Sequence, residues 1–177
     1  PRNVESPLAI RLIQGISRGE RMDLVVQKAT ELGVQRITPV HTAYSVVRLK
    51  GDRVEKKSGH WERIAQAACE QCGRNILPVI DEAADLRTVL AEPLGGSRVV
   101  LDTGSGEPIG NLQRIDGAVT LLTGPEGGFN TTEIELAVHS GFVPLSLGPR
   151  ILRTETAALA AIAILQSLFG DLNSKAD

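Results

Sequence analysis

An α/β fold with a mainly parallel sheet flanked by helices is what this sequence predicts, on three observations. Short apolar runs, too brief for helices, recur along the chain; several run straight into glycine-punctuated loops; and amphipathic segments of helical period lie between them. Strands buried on both faces read as continuous apolar runs, and parallel pairing requires crossover connections that are usually helical.

The elements follow in order. The opening PRNVESP reads as a linker, and residues 1–20 are assigned to a linker and a first strand. Met22, Val25, Val26, Ala29 and Leu32 recur at helical spacing, with Gly33 as a left-handed stop. Residues 34–40 carry β-branched side chains and Pro39, which predicts a short strand near an edge or a strand end. A charged loop then leads to a second helix from about residue 57 to residue 72, with Trp61, Ile64, Ala65, Ala68 and Cys72 on one face and Gly73 after it. Residues 98–101 and 119–122 are predicted buried strands. Asn130 caps the next helix, with Glu133 completing a capping box and Gly141 stopping it. Residues 142–147 form a short strand. The last helix, about residues 156–169, is apolar on nearly every side along residues 157–165, so it needs cover beyond its own sheet, from a deep core or a subunit interface. No internal repeat or low-complexity segment is visible.

Composition sets the class. A chain of 177 residues fits one domain and can bury roughly 70% of the surface its unfolded form exposes. With 42% hydrophobic and 23% charged residues it matches neither disordered nor fibrous proteins. The longest apolar run, residues 157–165, is far short of the roughly 20 residues that span a bilayer, and no signal sequence opens the chain, so no membrane association and a cytoplasmic location are expected. Pro1 rather than Met stands first, so a further N-terminal portion is expected to precede it. The net charge of −2 excludes a nonspecific nucleic-acid coat. Locally, Arg48, Lys50, Arg53, Lys56 and Lys57 crowd one segment, which reads first as a solvated face, and Arg150 and Arg153 lie at another loop.

Three loops stand where ligands bind in parallel α/β proteins, beyond the carboxyl ends of strands: residues 101–106 (LDTGSG), 123–128 (TGPEGG) and 147–156 (LGPRILRTET). Any one alone reads as a tight strand-to-helix turn. Three at the ends of successive strands point to a site. Glycine permits close backbone approach, while Pro125 and Pro149 stiffen the loops. Neither a Walker pattern nor G-x-G-x-x-G after a strand is present, so the loops suit a compact ligand held mainly through backbone groups, such as an adenosine moiety. Glu126, Glu155, Arg150 and Arg153 supply nearby charge, although Glu155 could simply complement the dipole in the first turn of the last helix. Cys69 and Cys72 form a C-x-x-C pair in the last turn of a helix, where the dipole opposes thiolate formation, so packing cysteines are expected. His41, His60 and His139 show no paired spacing, and no metal site is expected.

At LLTGPEGGFN and LSLGPRILRTETA the sequence resembles the trefoil-knotted SPOUT methyltransferases, of the RsmE type that methylates N3 of a uridine in small-subunit (16S) ribosomal RNA. The likeness extends upstream through MDLVVQKATELGVQRITPV and HWERIAQAACEQCGRNILPVI, nearly the whole chain. The resemblance implies a SPOUT methyltransferase domain over residues 21–170 with a C-terminal deep trefoil knot, a flexible tail over residues 171–177, and an N-terminal PUA-like domain before the chain. It implies S-adenosylmethionine held by Leu122, Thr123, Gly124, Pro125, Glu126, Gly127 and Gly128 in one loop. Leu145, Ser146, Leu147, Gly148, Ile151 and Leu152 would hold it from the other, together with Thr154 and Ala157, while Arg153, Thr154, Glu155 and Thr156 close the pocket and face the substrate. Arg153 and Glu155 are the implied catalytic pair, Arg153 stabilising a uridine anion and Glu155 acting as base or orienting group. A homodimer with the site at its interface and 16S ribosomal RNA as substrate are the implied partners. Relatives often carry arginine near Tyr44 in TAYSVV, where this chain departs.

Overall fold

The computed structural model describes residues 3–104, 106–115 and 117–173. Ser105 of the LDTGSG loop and residues 174–177 of the C-terminal tail lie outside that range.

Among the described residues, eight strands form a single sheet. They are β1 (Ala9–Gly15), β2 (Arg36–His41), β3 (Val79–Ile80), β4 (Ala84–Asp85), β5 (Ser97–Leu101), β6 (Glu107–Pro108), β7 (Ala118–Thr123) and β8 (Val143–Ser146). Their order is β3-β2-β1-β7-β5-β8-β6, with β4 also pairing to β2, and every described pairing is parallel. Five α-helices connect them: α1 (Glu20–Glu31), α2 (Asp52–Cys72), α3 (Leu86–Leu90), α4 (Thr131–His139) and α5 (Thr154–Phe169).

Adjacent residues of the central strands face opposite cores, which is why these strands read as unbroken apolar runs. Leu12, Val99 and Leu121 join α1, α2 and α5 on one face. Ile13, Val100 and Leu122 join α3 and α4 on the other. The largest buried side chain on the first face, Trp61, is 1% exposed and donates its indole N–H to Asp23 of α1 at 3.1 Å, coupling α2 to α1.

The structure corrects two sequence expectations, both of them helix starts. Strand β2 lies next to the edge, as its sequence predicts: β1 lies on one side, and the two-residue strands β3 and β4 share the other. Pro39 is tolerated because the Ile37 carbonyl accepts from Asp81 on that second side, and Pro39, two residues on, faces the gap between β3 and β4, where no ladder bond is lost. Helix α2 begins at Asp52, not near residue 57. Its first turn has a single apolar residue, Val54, among charged ones, with Asp52 and Glu55 complementing the dipole, so apolar periodicity gives little sign of it. Helix α5 begins at Thr154 rather than Thr156, which puts Thr154 and Glu155 in its first turn and leaves Arg153 as the residue before it. The capping box at Asn130 and Glu133 forms as the spacing predicts, and Gly33, Gly73 and Gly141 all take left-handed backbones after their helices. The short strands β3, β4 and β6 and helix α3 carry too few residues to show a period. Cys69 and Cys72 are free and close α2, and burial pushes the Cys69 thiol upward, against reactivity.

The N-terminal segment is locked to the body. Arg74, whose side chain is 3% exposed, pairs with Glu5 at 2.7 Å and donates to the carbonyls of Thr30 and Val34. Ser6 donates to Gln166 of α5 at 2.6 Å, and Gln166 donates in turn to the Leu32 carbonyl. The carboxyls of Glu5, Asp81 and Glu126 are all held below their ordinary values. Burial pushes each of them up, but hydrogen bonds and charge from Arg74 for Glu5, from Arg36 and Thr38 for Asp81, and from the Arg18 N–H and Arg21 for Glu126 outweigh it. A depressed folded-state pKa gives stability that is complete above the unfolded value and is lost as pH falls through the folded one. The urea midpoint is therefore expected to hold near neutrality and decline continuously on acidification below about 4.5. A midpoint unchanged to well below 3.8 would contradict it.

Candidate active site

The carboxyl ends of β1, β7, β5 and β8 open on one rim, and the chain reverses its direction of strand addition between β1 and β7. Crevices at such a reversal are the usual ligand sites of open parallel sheets. Here a cavity of about 280 Å³ is walled by the three glycine loops and the start of α5.

Two chain segments meet at its floor. A side chain at Gly15 would collide with the backbone nitrogen of Pro125, so only glycine at the end of β1 lets the TGPEGG loop pass. Next to it, Gln14 is fully buried and bridges four groups. Its amide donates to the carbonyls of Gly15 at 2.9 Å and Gly124 at 3.2 Å and to the Thr154 hydroxyl at 3.1 Å, while its oxygen accepts from Thr123 at 2.6 Å. Thr154 also donates to the Gly124 carbonyl at 2.6 Å. One amide thus ties β1, the β7 loop and the first turn of α5 together. The sequence reading missed Gln14; its signal was a polar residue closing the apolar run LAIRLI.

Glu126 is pinned from outside. Its carboxylate accepts from the Arg18 N–H at 2.7 Å and from Arg21 at 2.9 Å, fastening the glycine loop to the segment before α1 and to the first turn of that helix. Tyr44, half exposed, lies over the same loop, 2.8 Å from where a Gly127 side chain would begin.

Of the residues singled out from sequence, the structure brings Thr123 to Gly128, Leu145 to Gly148, Ile151, Leu152, Thr154 and Ala157 to the cavity wall. Leu122 is not on it, because its side chain points into the second core. Arg153 is exposed, and neither it nor Glu155 lines the cavity; they flank Thr154 at the rim. One carboxylate oxygen of Glu155 is buried with no hydrogen-bond partner among the described residues. Leu101, Asp102 and Thr103 of the LDTGSG loop and Arg150 are also on the wall, as their segments suggested, and Phe129 and Ile134 are additions; Arg150 is the wall's only cationic side chain among the described residues. Ile151, at 91% exposure, projects from the rim into solvent.

The lining chemistry fits a nucleoside. Leu101, Phe129, Leu147, Leu152 and Ala157 offer apolar walls for a planar base, and the glycine loops offer backbone groups for its edges. Among the described residues no group of His, Cys, Asp or Glu could hold a metal ion.

Comparison with known proteins agrees with this geometry. An RNA methyltransferase domain model matches residues 4–166. The chain is 44% identical to the ribosomal RNA small subunit methyltransferase E of Buchnera aphidicola subsp. Schizaphis graminum, over 97% of this chain and 70% of that protein. It is 31% identical to the Bacillus subtilis protein of the same name, over 92% of this chain and 67% of that one. Among solved structures, a ribosomal RNA small subunit methyltransferase E from Neisseria gonorrhoeae bound to S-adenosyl methionine superposes with a TM-score of 0.92 at 41% identity, covering 97% of this chain and 72% of that one. A Legionella pneumophila methyltransferase in complex with the same cofactor gives a TM-score of 0.88 at 43% identity, over 96% of this chain and 70% of that one.

Proposed function

The chain belongs to the RNA methyltransferase domain family, and from that premise we propose that it is an S-adenosylmethionine-dependent enzyme that methylates N3 of a uridine in 16S ribosomal RNA. The observation that carries this reading is the cavity at the β1/β7 reversal, lined by glycine loops and apolar side chains and held in shape by Gln14. The cofactor-binding residues are then those on the cavity wall, with Leu122 supporting them from the core. Residues 21–170 form the methyltransferase domain, with β1 completing its sheet. The placement of β6 beyond β8 and the Thr154 bond to Gly124 support the knotted threading of the C-terminal segment.

When bound, S-adenosylmethionine supplies an electrophilic methyl group that needs no further activation. The chain must supply alignment and an ionised nucleophile. Arg153, free of ion pairs among the described residues, stabilises negative charge on the uracil carbonyl oxygens as the N3 proton leaves. Glu155, with its unpartnered oxygen, takes that proton or orients the arginine. Arg150, on the wall, holds an anionic group of either ligand. The apolar α5, with Leu168 at 46% exposure, and the projecting Ile151 provide the surface for a homodimer. No described helix is long and apolar enough to cross a membrane, in keeping with an enzyme of the cytoplasm.

Two measurements test this. Titration calorimetry with S-adenosylmethionine is expected to show saturable binding to the folded protein, and none at all would overturn the reading. Arg153→Ala is expected to lower the methyl-transfer rate on 16S ribosomal RNA by roughly 100-fold or more, with unchanged cofactor affinity. An unchanged rate would remove Arg153 from the mechanism.

A further inference from the structure

The cofactor cavity has two kinds of wall. Leu101, Phe129, Leu145, Leu147 and Leu152 are apolar and buried or half-buried, while the charged side chains are Asp102, Glu126 and Arg150. Apolar walls take a planar base, and the few polar groups of such a pocket fix which way a ligand lies. Besides its nucleoside and sulfonium, S-adenosylmethionine carries an α-amino acid end with an ammonium and a carboxylate. Burying either charge without a partner is costly, so that end belongs where the wall offers both signs.

Arg150 stands ready for the carboxylate. It is exposed, makes no ion pair or hydrogen bond among the described residues, and is the only cation on the wall among them. The loop that carries it is stiff, because Gly148 turns the chain with a φ of 86° and Pro149 fixes the next φ. A guanidinium meets a carboxylate with two parallel N–H donors, a geometry that lysine lacks.

The two acids differ in what they face. Glu126 is turned outward to the Arg18 N–H and to Arg21. Asp102 is half-buried at the end of β5; its backbone N–H donates to the Leu145 carbonyl at 2.9 Å, and its Oδ1 accepts from the Gly104 N–H at 3.1 Å. A fixed negative charge thus shares the wall with Arg150. A phosphate drawn to Arg150 would be repelled by it, whereas a zwitterion finds an opposite charge for each of its own.

We propose that Arg150 holds the carboxylate of the cofactor's amino-acid end and Asp102 its ammonium, so that this pair selects the whole cofactor over its nucleoside part. The proposal rests on the reading of the cavity as the S-adenosylmethionine site, and it narrows the role of Arg150 to that one ligand.

The test is titration calorimetry with two probes. S-adenosylhomocysteine keeps the amino-acid end, and methylthioadenosine keeps the nucleoside and thioether but lacks it. Wild type is expected to bind the first about tenfold or more tightly than the second. Arg150→Ala should weaken S-adenosylhomocysteine about tenfold or more, Arg150→Lys less, and neither should change methylthioadenosine. Asp102→Asn should weaken the first probe alone, by about three- to tenfold. Because Arg150 is exposed and outside every helix and strand, its variants should keep the wild-type urea midpoint. Equal loss for both probes would show that Arg150 only shapes the cavity, and no loss for either would assign it to the RNA; each result overturns the proposal. A wild type that binds neither probe overturns the reading of the cavity itself. Wild-type binding of both with an indifferent Arg150→Ala leaves that reading standing and sinks only this inference.

Discussion

Gln14→Leu is expected to lower the unfolding free energy by roughly 2–4 kcal/mol and to weaken S-adenosylmethionine binding at least tenfold. Leucine fills the volume but leaves the buried Thr123 hydroxyl without its acceptor and the Gly15 carbonyl without its donor. Thr154 keeps its bond to Gly124 and loses the amide that held it to β1. Gln14→Glu should be no better, since a carboxylate still accepts from Thr123 but confronts the Gly15 and Gly124 carbonyls with negative charge. Urea unfolding and titration calorimetry on the two variants measure both effects. A Gln14→Leu protein with wild-type midpoint and affinity would show that the network neither holds the fold nor shapes the cavity.

Arg74→Ala is expected to cost about 3–5 kcal/mol, because removing one partner of a buried pair strands the other. Glu5, with a side chain 9% exposed, would keep its charge and lose its guanidinium, and the Thr30 and Val34 carbonyls would lose their donor. The loss should be smaller in acid, where Glu5 is protonated in the variant. Paired urea titrations of wild type and variant across that range check this, and a cost under 1 kcal/mol near neutrality would refute it. The cofactor cavity lies elsewhere, so affinity measured on the folded fraction should be unchanged.

Much of the architecture was written in local signals. Gly33, Gly73 and Gly141 mark helix ends because a left-handed residue stops a helix wherever it stands, and Asn130 with Glu133 closes a box over three residues. The glycine loops were legible because strand and loop adjoin in sequence. What stayed hidden depends on residues far apart. Nothing near Gln14 announces Thr154, which is 140 positions away, and nothing near Pro39 announces that β3 and β4 leave a gap opposite it. The starts of α2 and α5 were misplaced, the second by only two residues, for a related reason: periodicity sees the apolar face, and a mostly polar first turn shows little of it.

The clasp between Ser6 and Gln166 spans 160 positions of chain, and β1 lies between strands of which one, β7, follows it in the chain by more than a hundred residues. Such long-range pairings fold slowly and leave strand edges open meanwhile. A nascent chain can assemble β1, β2 and their helices, yet its cavity has no wall on the α5 side until α5 has left the ribosome. Truncation within the last turn of α5, which removes the Gln166 clasp, would therefore be expected to disable a protein whose lining residues are all present.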